Sequence, residues 1–112
     1  MFIKKRREAP EKDGAKRLIR EMISHNWKVH RLNVSAGTYS TPGFPDYYAT
    51  HKIHGAKWIE TKVPNGTLSS SQVDRFKSFA EHNIGVWILF DEKDYPKLFD
   101  PPNWGKFLWS RT

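Results

Sequence analysis

The sequence predicts a single α/β domain in which a mixed β-sheet is flanked by helices. Two amphipathic helical patterns enclose three strand-like runs, and a continuous apolar run follows the second helix. The helix between the last two strands makes a connection of the kind that joins parallel neighbours, whereas the two strands before it are close enough to form an antiparallel hairpin. The predicted order is therefore α-β-β-β-α-β followed by a tail, and 112 residues suit one such domain.

The first helix is predicted over residues 10–25 and the first strand over residues 28–34. Pro10 suits a first helical turn. Apolar residues then recur at the spacing of one helical face, at Ala15, Leu18, Ile19, Met22 and Ile23. Residues 1–9 are interpreted as a flexible basic arm, residues 10–90 as the core of the domain and residues 91–112 as an aromatic tail that packs on that core.

The runs DYYAT (46–50) and KWIETKV (57–63) are predicted to form an antiparallel hairpin that turns near Ile53. The numbers of paired residues then sum to roughly 106, which places Asp46 opposite Glu60 at about 5 Å between Cβ atoms. Strand alternation puts Trp58, Glu60 and Lys62 on one face and Ile59 on the other.

The second helix is predicted over residues 69–83, because Ser69 precedes Gln72 by the three-residue spacing of a capping box. VWILF (86–90) follows as a strand that is apolar along its whole length, which is typical of a strand covered on both faces.

The positive charge of the chain is concentrated near its start. The formal charge is +7, and residues 1–31 hold ten Lys/Arg against four Asp/Glu. Such asymmetry indicates an anionic partner, most often nucleic acid, although a solubilising tail has the same composition. The candidate nucleic-acid contacts are Lys4, Lys5, Arg6, Arg7, Lys16, Arg17 and Arg20.

Several classes of protein do not fit the composition. The absence of cysteine excludes disulfides, thiolate metal sites and cysteine nucleophiles. No apolar run approaches the length of a membrane span, and the first residues lack the apolar region of a secretory signal. These features predict a cytoplasmic protein without a membrane partner.

The hairpin predicts a site for a hard divalent cation. Asp46 and Glu60 would repel each other unless positive charge lies between them, and Mg²⁺ or Mn²⁺ is held by carboxylate and carbonyl oxygens. The backbone carbonyl of Thr61 is a candidate third ligand. Lys62 could orient or deprotonate a water molecule or stabilise charge on a phosphate. Alternatively, Glu60 and Lys62 form an ordinary surface ion pair.

These residues resemble the PD-(D/E)XK nuclease signature, with Asp46 as the acid of PD and Glu60-Thr61-Lys62 as ExK. GFPD, WIETK and the loop PNGTLSSSQ are similar to the VRR-NUC branch of that superfamily, and the similarity extends over residues 11–90. The resemblance implies a restriction-endonuclease-like core, a metal-dependent DNA endonuclease, and catalytic roles for Asp46, Glu60, Lys62 and Gln72. Small stand-alone members resemble virus and phage enzymes that act as dimers on branched DNA such as Holliday junctions.

One feature departs from the family pattern. The family carries an acidic residue on the first helix, where this chain has Ala15. Glu11, one turn earlier, is the best substitute, and Glu21 lies behind it. The alternative functions are a flap or restriction-type nuclease, a non-catalytic nucleic-acid-binding module that retains the fold, and a protein-interaction domain.

Overall fold

A computed structural model describes residues 10–32, 43–63 and 65–108. The chain forms a mixed α/β domain with the predicted order of elements. These are α1 (Pro10–Ser24), β1 (Lys28–Arg31), β2 (Tyr47–His51), β3 (Gly55–Thr61), α2 (Ser70–Glu81), β4 (Val86–Leu89) and two 3-10 helices, η1 (Glu92–Phe99) and η2 (Trp104–Phe107). Within the described ranges, no helix has both the length and the apolar character that crossing a membrane requires.

The four strands form one mixed sheet in the order β1-β2-β3-β4. β1 pairs with β2 and β2 with β3 in antiparallel orientation, whereas β3 and β4, joined through α2, are parallel. In the hairpin Tyr47 pairs with Ile59, and Tyr48 pairs with Trp58. Each pair of numbers sums to 106, so the predicted register is confirmed, and its continuation places Asp46 opposite Glu60.

Each face of the sheet has its own apolar core. On one face, Leu18 and Met22 of α1 and Leu98 of η1 pack with Ile59 and Leu89 of the strands. On the other face, α2 and η2 pack on β3 and β4. The second core contains Phe76, Val86 and Ile88, with Trp58, Phe79, Trp104 and Phe107 against it. Strand alternation therefore separates Trp58 from Ile59 as predicted.

The apolar stripe of α1 is narrower than the sequence predicts. Leu18 and Met22 are fully buried, but Ile23 is 56% exposed. At about 100° per residue, position 23 lies about 140° around the helix from Leu18, so its side chain turns away from the sheet. The first strand ends at Arg31 within the described residues; residues 33 and 34, also predicted to belong to it, lie outside them.

Residues 91–108 of the tail pack on the core as predicted and also cover the free edge of β4. The Asn103 side chain accepts a hydrogen bond from the Ile88 amide at 2.6 Å and donates one to the Ile88 carbonyl at 3.0 Å. The Trp87 indole donates to the carbonyl of Asp100 at 2.9 Å. Pairing of this kind satisfies backbone groups that an edge strand would otherwise present to another chain.

Replacing Gly14 by alanine is expected to destabilise the protein, although alanine normally favours a helix by about 1 kcal/mol over glycine. A Cβ atom at Gly14 would lie 2.1 Å from the carbonyl oxygen of Phe90, where α1 crosses the end of β4. We expect a loss of about 1–3 kcal/mol in the free energy of unfolding, measured by urea denaturation. Arg20→Ala, at an exposed position of the same helix, is the control, with an expected change below about 0.5 kcal/mol. A stability gain in Gly14→Ala would contradict this packing.

Candidate active site

Asp46 stands at the entry to β2, where the preceding loop is held against α2. Gly43 has a φ of +84°, and a Cβ atom there would lie 2.3 Å from the carbonyl oxygen of Ser71. Only glycine tolerates both the positive φ and this close approach. Pro45, two residues after Gly43, is fully buried. The loop is thereby fixed at the point where it delivers the Asp46 carboxylate to the sheet.

The Asp46 carboxylate is anchored to the neighbouring strand through Thr61. Its Oδ2 atom accepts hydrogen bonds from the Thr61 amide at 3.0 Å and from the Thr61 hydroxyl at 2.8 Å. Two donors from one residue fix both the position and the rotation of the carboxylate. The hairpin therefore brings Asp46 to the residue next to Glu60, although fifteen positions separate Asp46 from Thr61 in the sequence.

Glu60 is almost completely buried, at 3% exposure, on the side of the sheet covered by α2. Its Oε2 atom accepts a hydrogen bond from Gln72 Nε2 at 2.6 Å and lies 3.7 Å from Lys62 Nζ. Its Oε1 atom is buried without a hydrogen-bond partner among the described residues. A buried oxygen without a partner is costly unless a ligand, an ion or water binds it.

Burial raises the pKa of Glu60 from its ordinary value of 4.5 to about 8. The negative charge of Asp46 acts in the same direction, whereas Lys62, the Gln72 hydrogen bond and the backbone amide of Asp46 favour the ionised form. A buried carboxylate whose ionisation is disfavoured by a neighbouring acid is a common feature of sites that receive a cation.

The Thr61 carbonyl is expected to point toward the strand that leads from Asp46. In an antiparallel ladder the N–H and the C=O of one residue point to the same neighbouring strand. Since the Thr61 amide points to Asp46, the Thr61 carbonyl is expected on that side as well. No group of three or more His, Cys, Asp or Glu side chains in the described part of the chain is placed to hold a metal ion. The candidate donors here are two carboxylates and a carbonyl, and Mg²⁺ often takes no more than one or two carboxylates from a protein.

Gln72 has two functions in the structure. Its Oε1 atom accepts a hydrogen bond from the Ser69 amide at 2.9 Å, and the Ser69 hydroxyl accepts one from the Gln72 amide at 3.1 Å. The predicted capping box is therefore confirmed. The other end of the same amide group donates to Glu60, so the helix start positions the buried carboxylate.

A cleft of about 370 Å³ lies beside Lys62, between the start of α1 and η1. It is lined by Gly14, Arg17, Lys62, Phe90, Asp91, Lys93 and Asp94. The Lys62 side chain is 18% exposed, so it can be reached from this cleft. Lys93 also lines this cleft and is not among the predicted site residues, because nothing in the sequence indicates that η1 returns to the end of β3.

The predicted nucleic-acid contacts differ in their surroundings. Lys16 and Arg20 are exposed on α1. Arg17 binds Asp91 through two hydrogen bonds, of 3.1 and 2.6 Å, and holds the pKa of that carboxyl below its ordinary value. The guanidinium thus joins α1 to η1 and has less capacity to bind a phosphate. Lys4, Lys5, Arg6 and Arg7 lie outside the described residues.

The two candidates for the first-helix acid, Glu21 and Glu11, lie at opposite ends of α1. Glu21 lies 3.0 Å from His25 Nε2 one turn later in the helix, and this pair belongs to the last part of α1. Glu11 lies in the first turn of α1, and its side chain is outside the described part of the structure. Ala15 is buried, at 6% exposure.

Comparisons with known proteins give no relative. No family model matches the chain, and the searches of curated proteins and of solved structures return no significant match.

Proposed function

We propose that this chain is a metal-dependent DNA endonuclease with a restriction-endonuclease-like core, of the VRR-NUC branch of the PD-(D/E)XK nucleases. The observation that carries the proposal is the meeting of Asp46, Glu60 and Lys62 at one end of the hairpin, with a Glu60 oxygen buried and without a partner among the described residues. A surface ion pair would not need a buried carboxylate or the second acid beside it.

Asp46, Glu60 and the Thr61 carbonyl are the residues that would hold Mg²⁺ or Mn²⁺. When bound, such an ion polarises a phosphate and lowers the pKa of its water ligand. The buried Oε1 atom of Glu60 fits this assignment because a cation would supply its missing partner. Glu11 is a further candidate ligand by resemblance.

The remaining side chains position the carboxylates or carry charge. Thr61 holds Asp46, and Gln72 holds Glu60, each through hydrogen bonds that limit rotation of the carboxylate. Such supporting partners typically change metal affinity or activity by about 10- to 100-fold when removed. Lys62 places an amine beside Glu60, where it can meet a phosphate oxygen or the attacking water.

The proposed substrate is branched DNA, and the proposed assembly is a homodimer. A four-way junction has two-fold symmetry, so two copies of one site could cut strands related by that symmetry. The exposed Lys16 and Arg20, together with Lys4, Lys5, Arg6 and Arg7, are the proposed phosphate contacts.

The direct test is cleavage of labelled duplex, flap and four-way DNA with Mg²⁺, with Mn²⁺ or with EDTA. We expect metal-dependent cutting of the branched substrates that is lost in Asp46→Ala. Size-exclusion chromatography with light scattering measures the oligomeric state in parallel. Cutting that persists in both Asp46→Ala and Lys62→Ala would show that other residues carry the chemistry.

A non-catalytic nucleic-acid-binding module is the second candidate. Ala15 favours it, because this buried residue provides no carboxylate at the position where the family has its first-helix acid. The module predicts DNA binding without cleavage by the wild-type protein in either metal.

Gln72→Ala and Ser69→Ala separate the two functions of the helix start. Both remove the capping box and are expected to lower the free energy of unfolding by about 1 kcal/mol. Only Gln72→Ala removes the hydrogen bond to Glu60, so only this variant is expected to lose about 10- to 100-fold in cleavage rate. Urea denaturation and single-turnover cleavage measure the two effects. Equal cleavage rates in the two variants would restrict Gln72 to the cap.

A further inference from the structure

Three aromatic rings form a row across the sheet on the side that carries Glu60. His30 of β1 pairs with Tyr48 of β2, and Tyr48 pairs with Trp58 of β3. The ring centroids are 6.5 Å apart between His30 and Tyr48 and 4.5 Å apart between Tyr48 and Trp58. The His30 and Tyr48 planes differ by 29°, so these two rings face in nearly the same direction. We call His30, Tyr48 and Trp58 the aromatic row.

The row passes from the interior to the surface. Trp58 packs edge-on against Phe79 of α2, at 5.6 Å between centroids, and belongs to the second core. Tyr48 is half-buried and His30 is exposed. The helix thus covers the Trp58 end, and ring surface becomes accessible toward the edge strand β1.

The edge strand is also cationic. Lys28 is exposed and shares the face of His30, because the two residues are two positions apart in the strand. Arg31 is also exposed, on the opposite face of the same strand, and no acidic residue lies in β1. Exposed aromatic rings with cationic side chains alongside are the combination that binds single-stranded nucleic acid, whose bases stack while its phosphates are neutralised. An acidic partner would explain the cationic side chains but not the exposed rings. An apolar partner would explain the rings but not the cationic side chains.

The row leads directly to the candidate active site. Tyr48 is two residues after Asp46, and Trp58 is two residues before Glu60. Two residues of a strand span roughly 7 Å, which is within the reach of one nucleotide.

We infer that the aromatic row is a stacking surface for unpaired bases next to the scissile phosphate, with Tyr48 and His30 as the contacting rings. The inference rests on the proposed nuclease function and specifies its substrate class: DNA with unpaired nucleotides beside the cut bond, in preference to a continuous duplex. Bases inside a duplex have both faces covered by their neighbours, so they do not stack on protein rings unless they are extruded.

The test measures binding in EDTA, so that hydrolysis plays no part. Fluorescence anisotropy compares a labelled single-stranded 20-mer of thymidine with a labelled duplex of the same length, at one fixed salt concentration. We expect the single strand to bind more tightly, and His30→Ala and Tyr48→Ala each to weaken that binding by roughly five-fold or more. Tyr48→Phe keeps the ring and should bind like wild type. His82→Ala, at an exposed position at the end of α2, is the matched control and should also bind like wild type.

Each outcome decides the inference separately from the nuclease function. Tighter binding of duplex, or unchanged single-strand binding in both His30→Ala and Tyr48→Ala, overturns the stacking surface even if the protein cuts DNA. Selective loss of single-strand binding supports it even if no cutting is observed. Because His30 is exposed, His30→Ala is expected to fold, and circular dichroism verifies the fold of each variant. If Tyr48→Ala is unfolded, His30→Ala alone decides the outcome.

Discussion

Replacing Lys62 by methionine is expected to reduce metal-dependent DNA cleavage by about 10²–10³-fold while DNA binding in EDTA changes by less than about two-fold. Methionine retains most of the aliphatic volume and removes the amine, whose Nζ atom lies 3.7 Å from Glu60 Oε2. The loss should appear in the single-turnover rate constant, because the proposed role is to act on the phosphate or the attacking water and not to hold distant DNA.

Lys93→Met is the matched control for this variant. Lys93 lines the same cleft as Lys62 but belongs to η1 and not to the strand that carries Glu60. Both variants remove one positive charge from the cleft, so a purely electrostatic effect on DNA approach would reduce cleavage similarly in both. Equal losses, or full activity of Lys62→Met, would refute a catalytic role for Lys62.

The second large effect concerns Glu60 and pH. Without metal, the free energy of unfolding should fall as pH rises from about 4.5 to about 8, because the folded protein keeps a proton on Glu60 that the unfolded chain releases. The contribution is fully present below pH 4.5 and is lost above the folded pKa of about 8. Its size is a few kcal/mol, with an upper limit of about 5 kcal/mol.

Glu60→Gln should abolish this contribution, because glutamine stays neutral at every pH and retains an oxygen to accept from Gln72. Urea denaturation of both proteins in EDTA from pH 4 to pH 9 gives the difference directly. We expect similar stability near pH 4 and a more stable variant near pH 9. Glu81→Gln, at an exposed position on α2, should follow the wild-type profile. Identical profiles for wild type and Glu60→Gln would mean that Glu60 ionises normally in the folded protein.

At high pH, added Mg²⁺ should make the wild-type protein more stable than Glu60→Gln. A cation bound by Glu60 requires the ionised carboxylate, so its binding releases a proton and stabilises the folded state. Wild-type protein should therefore gain more from Mg²⁺ at pH 8 than at pH 5, and Glu60→Gln should gain little at either pH. A gain of the same size in both proteins would place the ion elsewhere.

The order of the elements and the hairpin register could be predicted from the sequence because they depend on local periodicity. Alternation with a period of two assigns Trp58 and Ile59 to opposite faces wherever the strand lies. A capping box needs only Ser69 and Gln72 at a spacing of three. Once the turn is placed near Ile53, the numbers of paired residues in the hairpin have a constant sum. This sum places Asp46 opposite Glu60.

The burial and the bonding partners of the site residues depend on contacts that no local sequence pattern encodes. Burial of Glu60, its unpartnered oxygen and its raised pKa arise because α2 packs over β3 and removes the carboxylate from water. Arg17, predicted to contact DNA, also binds Asp91, 74 positions away. The sequence alone therefore determined which residues share a strand face and which lie opposite each other. Only the tertiary structure decided which of them are desolvated or already bound, because desolvation depends on the chain segments that pack from a distance.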